Sequence, residues 1–486
     1  MAGIHGLPPS WRRRLLHTMP ERPHAHPTHF ARAPFSLDAA TEVLLGLMIL
    51  FTPWAFGTTQ PWSIWCMNAG GYALGGLLIG KIILRRRVLR STTLPCSRGE
   101  KVLFALTLAV LGYILVAAWN AEFIYLPAEW RQEPRAHVTW LPHSLDRDAT
   151  WRVFWNWLAL ACVFWAARDW LTGERTAEGV VRGRRLRRMI CLLAANAALV
   201  ALEGVLQRNS GTAKLLWFMP THDNPAAAAQ FGPYAYRANA AQFFNLVWPA
   251  ALAVWWFQHL RVRRATQSHH WLLPCVMLLM IGSLVSLSRG GVAITILQLT
   301  VCALLFLASD AFSRRARIGL ALGLAATLGA AAFFGWEQLS SRLETNDQLG
   351  GRRETYALAA RMADDYPWFG TGPGSFGSVF QLYRNSPADY WPGQLHNDWL
   401  EYLITFGRVG GALLLAAFVT LLARAFRPGG QRVPWIFAAC LWTALAGCLL
   451  HARFDFPLQI YSIQFVFVLL CAALFSLSVA EKKSAP

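Results

Sequence analysis

The chain has 486 residues, 55% of them hydrophobic and only 15% charged, with 23 tryptophans and a net charge of +19. A soluble globular protein of this length carries more charge, so the composition excludes that class in favour of a helical membrane protein. The basic residues sit in short clusters between apolar runs, which makes the positive charge a topology signal and argues against a nucleic-acid partner.

Residues 1–36 are rich in Arg, His and Pro and lack an apolar core, so they are not a secretory signal peptide. They are expected to form a disordered, basic cytoplasmic tail. His24, His26 and His29 could chelate a metal, but a tail without function is the better account of them. Residues 37–480 then read as a single transmembrane domain, followed by a short cytoplasmic C-terminus at 481–486. About twelve spanning helices are predicted by length and apolarity. They fall at 37–56, 62–84, 102–119, 153–171, 189–207, 242–260, 271–288, 291–309, 318–336, 399–422, 434–451 and 458–480. The fold class is all-α and polytopic.

Orientation follows from the basic loops. Arg85–Arg87, Arg184–Arg188, Arg261–Arg264 and Arg314–Arg317 all share one side if both termini are cytoplasmic, as the positive-inside rule requires. Three sizeable loops then face outward. The first, 120–150, holds Trp130 and Trp140. The second, 208–241, holds Tyr234-Ala235-Tyr236-Arg237-Ala238-Asn239. The third, 337–398, is the longest and ends at His396. Loops of this length between membrane helices usually carry function. The nine cysteines show no CxxC pair and no metal-ligand spacing, so neither a disulfide framework nor a metal site or other cofactor is expected.

Within this frame, Ser286-Leu287-Ser288-Arg289-Gly290-Gly291 interrupts an apolar stretch too long for one helix. Gly290 and Gly291 are expected to supply a tight outer turn. Arg289 would then point the same way as the free N–H groups of the next helix, a combination suited to phosphate. The alternative, an arginine snorkelling to lipid headgroups, is the weaker reading. Arg352 and Arg353 follow Gly350-Gly351 in the long loop and offer a second anion ligand, since a diphosphate takes more than one bidentate partner. His396 precedes the tenth helix. An imidazole titrates near neutral pH and can accept a proton from an attacking hydroxyl. Asp398 and Glu401 lie nearby to orient it or to act as the base instead, and Asn397 can cap the helix. Asp398, Glu401, Thr405 and Arg408 recur at helical spacing on one stripe, a pattern that suits either a cavity or structural ion pairing. Tyr366, Trp368, Phe369, Tyr383, Tyr390 and Trp391 give the long loop faces for stacking on sugars or for anchoring at the interface.

These residues together resemble the O-antigen ligase and O-antigen polymerase superfamily of bacterial envelope glycosyltransferases. Four elements carry the likeness over roughly 190–480: Ser288-Arg289-Gly290; Gly351-Arg352 with Tyr356 and then Pro367-Trp368-Phe369-Gly370-Thr371-Gly372-Pro373-Gly374-Ser375-Phe376; His396-Asn397-Asp398-Trp399-Leu400 leading to Gly407 and Gly410; and His451 with Asp455-Phe456-Pro457. Arg237-Ala238-Asn239 is a weaker fifth element. The resemblance implies a GT-C-like fold in the bacterial inner membrane and an active site facing the periplasm. It also implies metal-independent, inverting transfer of a glycan from an undecaprenyl-diphosphate carrier to a glycan, lipid A core or other hydroxyl acceptor. By that analogy Arg289 and Arg352, or Arg353 in its place, bind the diphosphate and His396 activates the acceptor. Ser288, Arg237, Asn239, Asn397, Asp398, Glu401, His451 and Asp455 support the site or bind substrate. The competing expectations are a multi-pass transporter or flippase of a lipid-linked or anionic substrate, which should show inverted repeats and broken helices near the midplane, and a structural subunit without chemistry.

Overall fold

The computed structural model describes residues 29–87, 97–126, 128–129, 131–173, 183–221, 229–261, 269–309, 314–315, 317–319, 321–322, 347–384, 393–425 and 435–477; for 29–36, 260–261, 347–352 and 424–425 it describes the backbone alone. The long helices are α1 (His29–Trp54), α2 (Pro61–Arg87), α3 (Arg98–Trp119), α4 (Arg147–Thr172), α5 (Arg184–Ser210), α6 (Arg237–Arg261), α7 (Leu272–Val285), α8 (Arg289–Leu307), α9 (Asp347–Asp365), α11 (Asp398–Ala425), α12 (Trp435–His451) and α13 (Tyr461–Leu477), with a one-turn α10 at Phe376–Val379. Among the described residues seven helices are long and apolar enough to cross a bilayer, and α7, α12 and α13 are shorter apolar helices. The chain is therefore an all-α, multi-pass membrane protein. Helix α4 is interrupted by charged residues, Arg147, Asp148, Arg152, Arg168 and Asp169, and packs against α2, α3 and α13. The span expected at 318–336 lies outside the described residues except for short helical pieces, as do Trp130, Tyr390, Trp391 and the C-terminal segment 481–486.

The centre of the bundle is α6. Of the most apolar 18-residue stretch within Arg237–His259, 83% is buried, against 22% for the one within Asp398–Ala423 of α11, which faces outward. Phe243, Phe244, Leu246, Val247 and Trp248 are fully enclosed on all sides of α6, as expected of a helix apolar all round. In lipid the hydrophobic effect does not drive helices together, so close packing must. Gly71 and Gly75, four apart on α2, provide it: a Cβ at either would lie 2.8 Å from Ala159 O or 2.7 Å from Cys162 Sγ of α4.

At the end of the bundle carrying the basic loops, charges are buried in pairs. Lys81, 2% exposed, bonds Asp38 at 2.8 Å and lies 3.4 Å from Asp169. Asp169 also takes a two-pronged contact from Arg85, at 2.6 and 3.1 Å, and Asp38 a contact from Arg185 at 2.9 Å. Arg168 pairs with Glu100 beside them. The network ties α1, α2, α4 and α5 together. Removing one member of a buried pair strands its partner. Lys81→Ala is expected to destabilise the protein by about 3 kcal/mol, read as a lower thermal-unfolding temperature in detergent; an unchanged temperature would show that the arginines alone satisfy both carboxylates.

Two expectations need correction. The tail expected at 1–36 overlaps α1, which begins at His29, because once a span is nucleated, extending it outward costs little per residue; residues 1–28 lie outside the described residues. The segment 337–398 is not a loop throughout. Its described part folds into α9 and α10, whose Leu358, Ala359, Met362, Phe376 and Val379 form a small separate core with Leu145, Leu395 and Ile404. Gly350 and Gly351 sit within α9 and do not break it, because the apolar face of Leu358 and Met362 anchors the helix. The segment 120–150 explains its own length. A hairpin of β1 (Phe123–Leu126) and β2 (Arg131–Pro134) leads to a strand-like brace under this outer layer. Leu145 N donates to Thr371 O at 2.8 Å, Thr150 Oγ1 to Pro373 O at 2.9 Å, and Ser378 Oγ to Asp146 Oδ2 at 2.8 Å.

Candidate active site

Helix α11 is built in two pieces. Gly407 has φ 61° and ψ −170°, which only glycine adopts readily, and the ladder of hydrogen bonds is interrupted there. The glycine-rich strap 367–374 fills the gap. Ile404 O and Thr405 O accept from Thr371 N and Gly372 N at 2.9 and 3.1 Å, while Arg408 N and Val409 N donate to Pro367 O and Trp368 O at 3.0 and 3.1 Å. Tyr113 Oη, 2.7 Å from Phe369 O and from Phe406 O, closes the seam. The helical stripe expected to join Asp398, Glu401, Thr405 and Arg408 is therefore broken. Arg408 turns out, and its guanidinium lies 5.6 Å over the Trp368 ring.

The short upper piece of α11 holds His396. Asn397 caps the helix, accepting from Leu400 N at 3.2 Å. His396 itself lies at φ 56°, a conformation that costs a non-glycine residue about 1–2 kcal/mol. Neighbouring bonds fix it: Tyr356 Oη of α9 donates to His396 O at 2.8 Å, Leu395 N donates to Glu401 Oε2 at 2.8 Å, and Asp398 N donates to Ala452 O at 2.8 Å. The carboxylates of Asp398 and Glu401 thus bond groups other than the imidazole. Asp398 accepts from Leu458 N at 2.8 Å and Gln459 Nε2 at 3.0 Å, holding the turn between α12 and α13. Glu401 also lines a cavity of about 160 Å³ with Asn156, Tyr402, Thr405, Gln459 and Gln464.

The partner of His396 is Asp455, whose Oδ1 lies 2.9 Å from His396 Nδ1. Asp455 accepts two more bonds, from Phe456 N at 3.0 Å and Tyr236 Oη at 3.0 Å. Burial opposes its ionisation, yet the bond and charge of His396, with help from His451 and Phe456 N–H, hold its carboxyl below the usual carboxylate range. Beside an ionised Asp455 the neutral form of His396 carries its proton on Nδ1, which leaves Nε2 as the acceptor in that form. The imidazole, one third exposed, is gripped edge-on by Phe456 and Tyr236 at 4.8 and 5.9 Å.

The arginine turn reaches this pair through His451. His451 is buried, bonds Gln242 Oε1 through Nδ1 at 2.8 Å, and presents Nε2 4.0 Å from Asp455 Oδ2. A Cβ at Gly290 would sit 2.7 Å from that Nε2, and one at Gly291 would sit 2.3 Å from Ala241 Cβ. This corrects the expected role of the two glycines. They are helical residues of α8 that admit α6 and α12. The turn is made by Leu287 at φ 59° and by Ser288, whose Oγ caps Gly291 N at 3.1 Å. Arg289 is exposed at the first position of α8. A cation there opposes the helix dipole, an arrangement that an anionic ligand reverses.

The fold therefore brings together Ser288, Arg289, His451, Asp455 and His396, with Tyr236 leading into Arg237 and buried Asn239 at the start of α6. Arg353 is exposed on α9, three residues before Tyr356; the side chain of Arg352 lies outside the described residues. Sequence reading passed over Tyr236, Gln242 and Arg208. Arg208 ends α5, donates to Gln230 O and Ser286 O at 2.9 and 3.1 Å, and props the Arg289 turn. Its position was a signal: it is an arginine at the end opposite the basic loops.

No curated protein sequence matches the chain. Residues 274–415, which run from α7 into α11 and contain Arg289, Arg352, Arg353 and His396, match the family model described as O-antigen ligase. The chain is a multi-pass membrane protein in which this segment matches the O-antigen ligase family, and that match supports its place in the O-antigen ligase and polymerase superfamily.

Proposed function

We propose that the protein is an inverting membrane glycosyltransferase that moves a glycan from an undecaprenyl-diphosphate carrier to an acceptor hydroxyl at the periplasmic face of the inner membrane. The observation that carries this reading is the His396–Asp455 pair joined through His451 to the Arg289 turn. His396 Nε2 takes the proton of the acceptor hydroxyl as its oxygen attacks the anomeric carbon. The bond from that carbon to the diphosphate oxygen breaks on the opposite face, so a single displacement inverts the centre. Asp455 holds the imidazolium that results. The departing diphosphate already carries its charge, and guanidinium groups from Arg289 and from Arg352 or Arg353 stabilise it. The placement of the basic loops supports a cytoplasmic position for both termini. The acceptor is a glycan, a lipid A core or another hydroxyl compound.

Arg289→Ala is expected to lower transfer from purified undecaprenyl-diphosphate glycan by about a hundredfold, as for loss of one donor to a developing anion. Arg289→Lys should recover only part of it, because an ammonium cannot make the two-pronged contact. Activity within about threefold of wild type in Arg289→Ala would remove this arginine from the site. Transport of the lipid-linked substrate without formation of any glycosidic product would favour a flippase instead.

A further inference from the structure

At the end of α6 remote from Arg237, three histidines meet. His259 is on the last turns of α6, and His269 and His270 lie in the turn leading into α7. One ring nitrogen from each falls within 4.8 Å of the others. The rings of His269 and His270 are 4.4 Å apart, and His259 lies 5.8 Å from His269 and 6.0 Å from His270. His269 is 4% exposed, and its Nε2 is buried without a hydrogen-bond partner among the described residues. A buried imidazole nitrogen left unsatisfied is costly, and two further imidazoles beside it offer it no carboxylate. A metal ion resolves this arrangement. It takes the lone pair of the buried nitrogen and those of its neighbours together.

We infer that His259, His269 and His270 bind a divalent transition metal ion of the zinc, cobalt or nickel type. Imidazole suits these ions, and three imidazoles form a common protein share of a tetrahedral site. Bond lengths of about 2.0–2.1 Å place ligand nitrogens about 3.3 Å apart in such a site. The cluster therefore closes by a small rotation of the rings when the ion enters. Three neutral ligands leave the ion its full charge, so water or an anion takes the fourth position. The site is separated from Arg237 by the length of α6, about 33 Å at 1.5 Å per residue. It is thus a clamp on the α6–α7 connection and takes no part in the transfer chemistry.

The indole N–H of Trp255 adds a distinguishing feature. It donates to His270 Nδ1 at 3.1 Å. His270 then has its own proton on Nε2 when neutral. Ligation through either nitrogen breaks this bond: Nδ1 must leave the indole, or Nε2 must lose its proton to Nδ1, which then cannot accept. Trp255 therefore competes with the ion.

The test uses full-length protein purified without a polyhistidine tag and titrated with Co²⁺, then with Zn²⁺ as competitor. One equivalent of Co²⁺ should give the visible absorption of a tetrahedral site, and Zn²⁺ should bleach it. His269→Ala should weaken binding by at least about tenfold, while His24→Ala/His26→Ala/His29→Ala should leave it unchanged. Trp255→Phe should bind as tightly as wild type or more tightly. Co²⁺ binding that survives His259→Ala/His269→Ala/His270→Ala, or that vanishes with the tail histidines, overturns the assignment. So does the absence of a tetrahedral spectrum in the wild-type protein.

Discussion

Asp455→Asn is expected to lower glycan transfer by about a thousandfold or more while leaving the protein folded. The carboxylate accepts from His396 Nδ1, Phe456 N and Tyr236 Oη, so it acts as a pure acceptor. An amide of the same shape has one accepting oxygen. If that oxygen takes the place of Oδ2 and keeps Tyr236, the NH₂ group takes the place of Oδ1, loses the bond from Phe456 N, faces His396 Nδ1 and donates to it. The ring is then held with its proton on Nε2, the wrong atom for a base. His396→Ala should lose a similar factor, and the double variant should be no worse than either single one, because the two side chains act as a unit. Losses that multiply in the double variant would mean that the pair is not one device. A single Asp455→Asn variant within about tenfold of wild type would remove the pair from the mechanism.

Gly407→Ala is expected to cost the fold about 3 kcal/mol or more. The dihedral angles at Gly407 lie where an L side chain is strained, and an added Cβ would fall 2.4 Å from Gly370 N and 2.5 Å from Trp368 O. Both contacts are backbone, so no side chain can swing aside. The strap must leave the gap, and the four hydrogen bonds that bridge it are lost together. Gly411→Ala, four residues on, meets nothing within 4 Å and is the control; it should be neutral or slightly stabilising. The readout is the thermal-unfolding temperature in detergent together with the yield of monodisperse protein. Equal temperatures for the two variants would show that the break in α11 is not required.

Much of the bundle was legible because bilayer thickness imposes a length on every span, and that length survives whatever the helix packs against. The arginine turn and His396 were legible for a related reason: polar residues at the ends of apolar runs stand out. What escaped is what depends on tertiary partners. The stripe through Asp398, Glu401, Thr405 and Arg408 assumed an unbroken helix, and nothing local says that a strap from 367–374 will enter at Gly407. Asp398 and Glu401 are near His396 in sequence, yet their carboxylates serve Leu458, Gln459 and Leu395. Asp455, far along the chain, orients the ring. The outer segment 337–398 read as loop because its helix α9 is amphipathic and short of apolar residues, and its core needs Leu145 and Leu395 from elsewhere. The histidine cluster at α6 and α7 escaped because His259 lies ten residues before the pair His269 and His270 and meets them only when the chain turns back on α6.

A gap in a membrane helix usually makes a flexible joint. In α11 every backbone group orphaned on either side of the gap that the strap can reach is tied to that same strap, so the gap behaves as a splice. A change in bilayer thickness that tilts the lipid-facing rod must therefore carry the outer layer, and His396 with it, as one piece. The histidine keeps its aim while the membrane around it deforms.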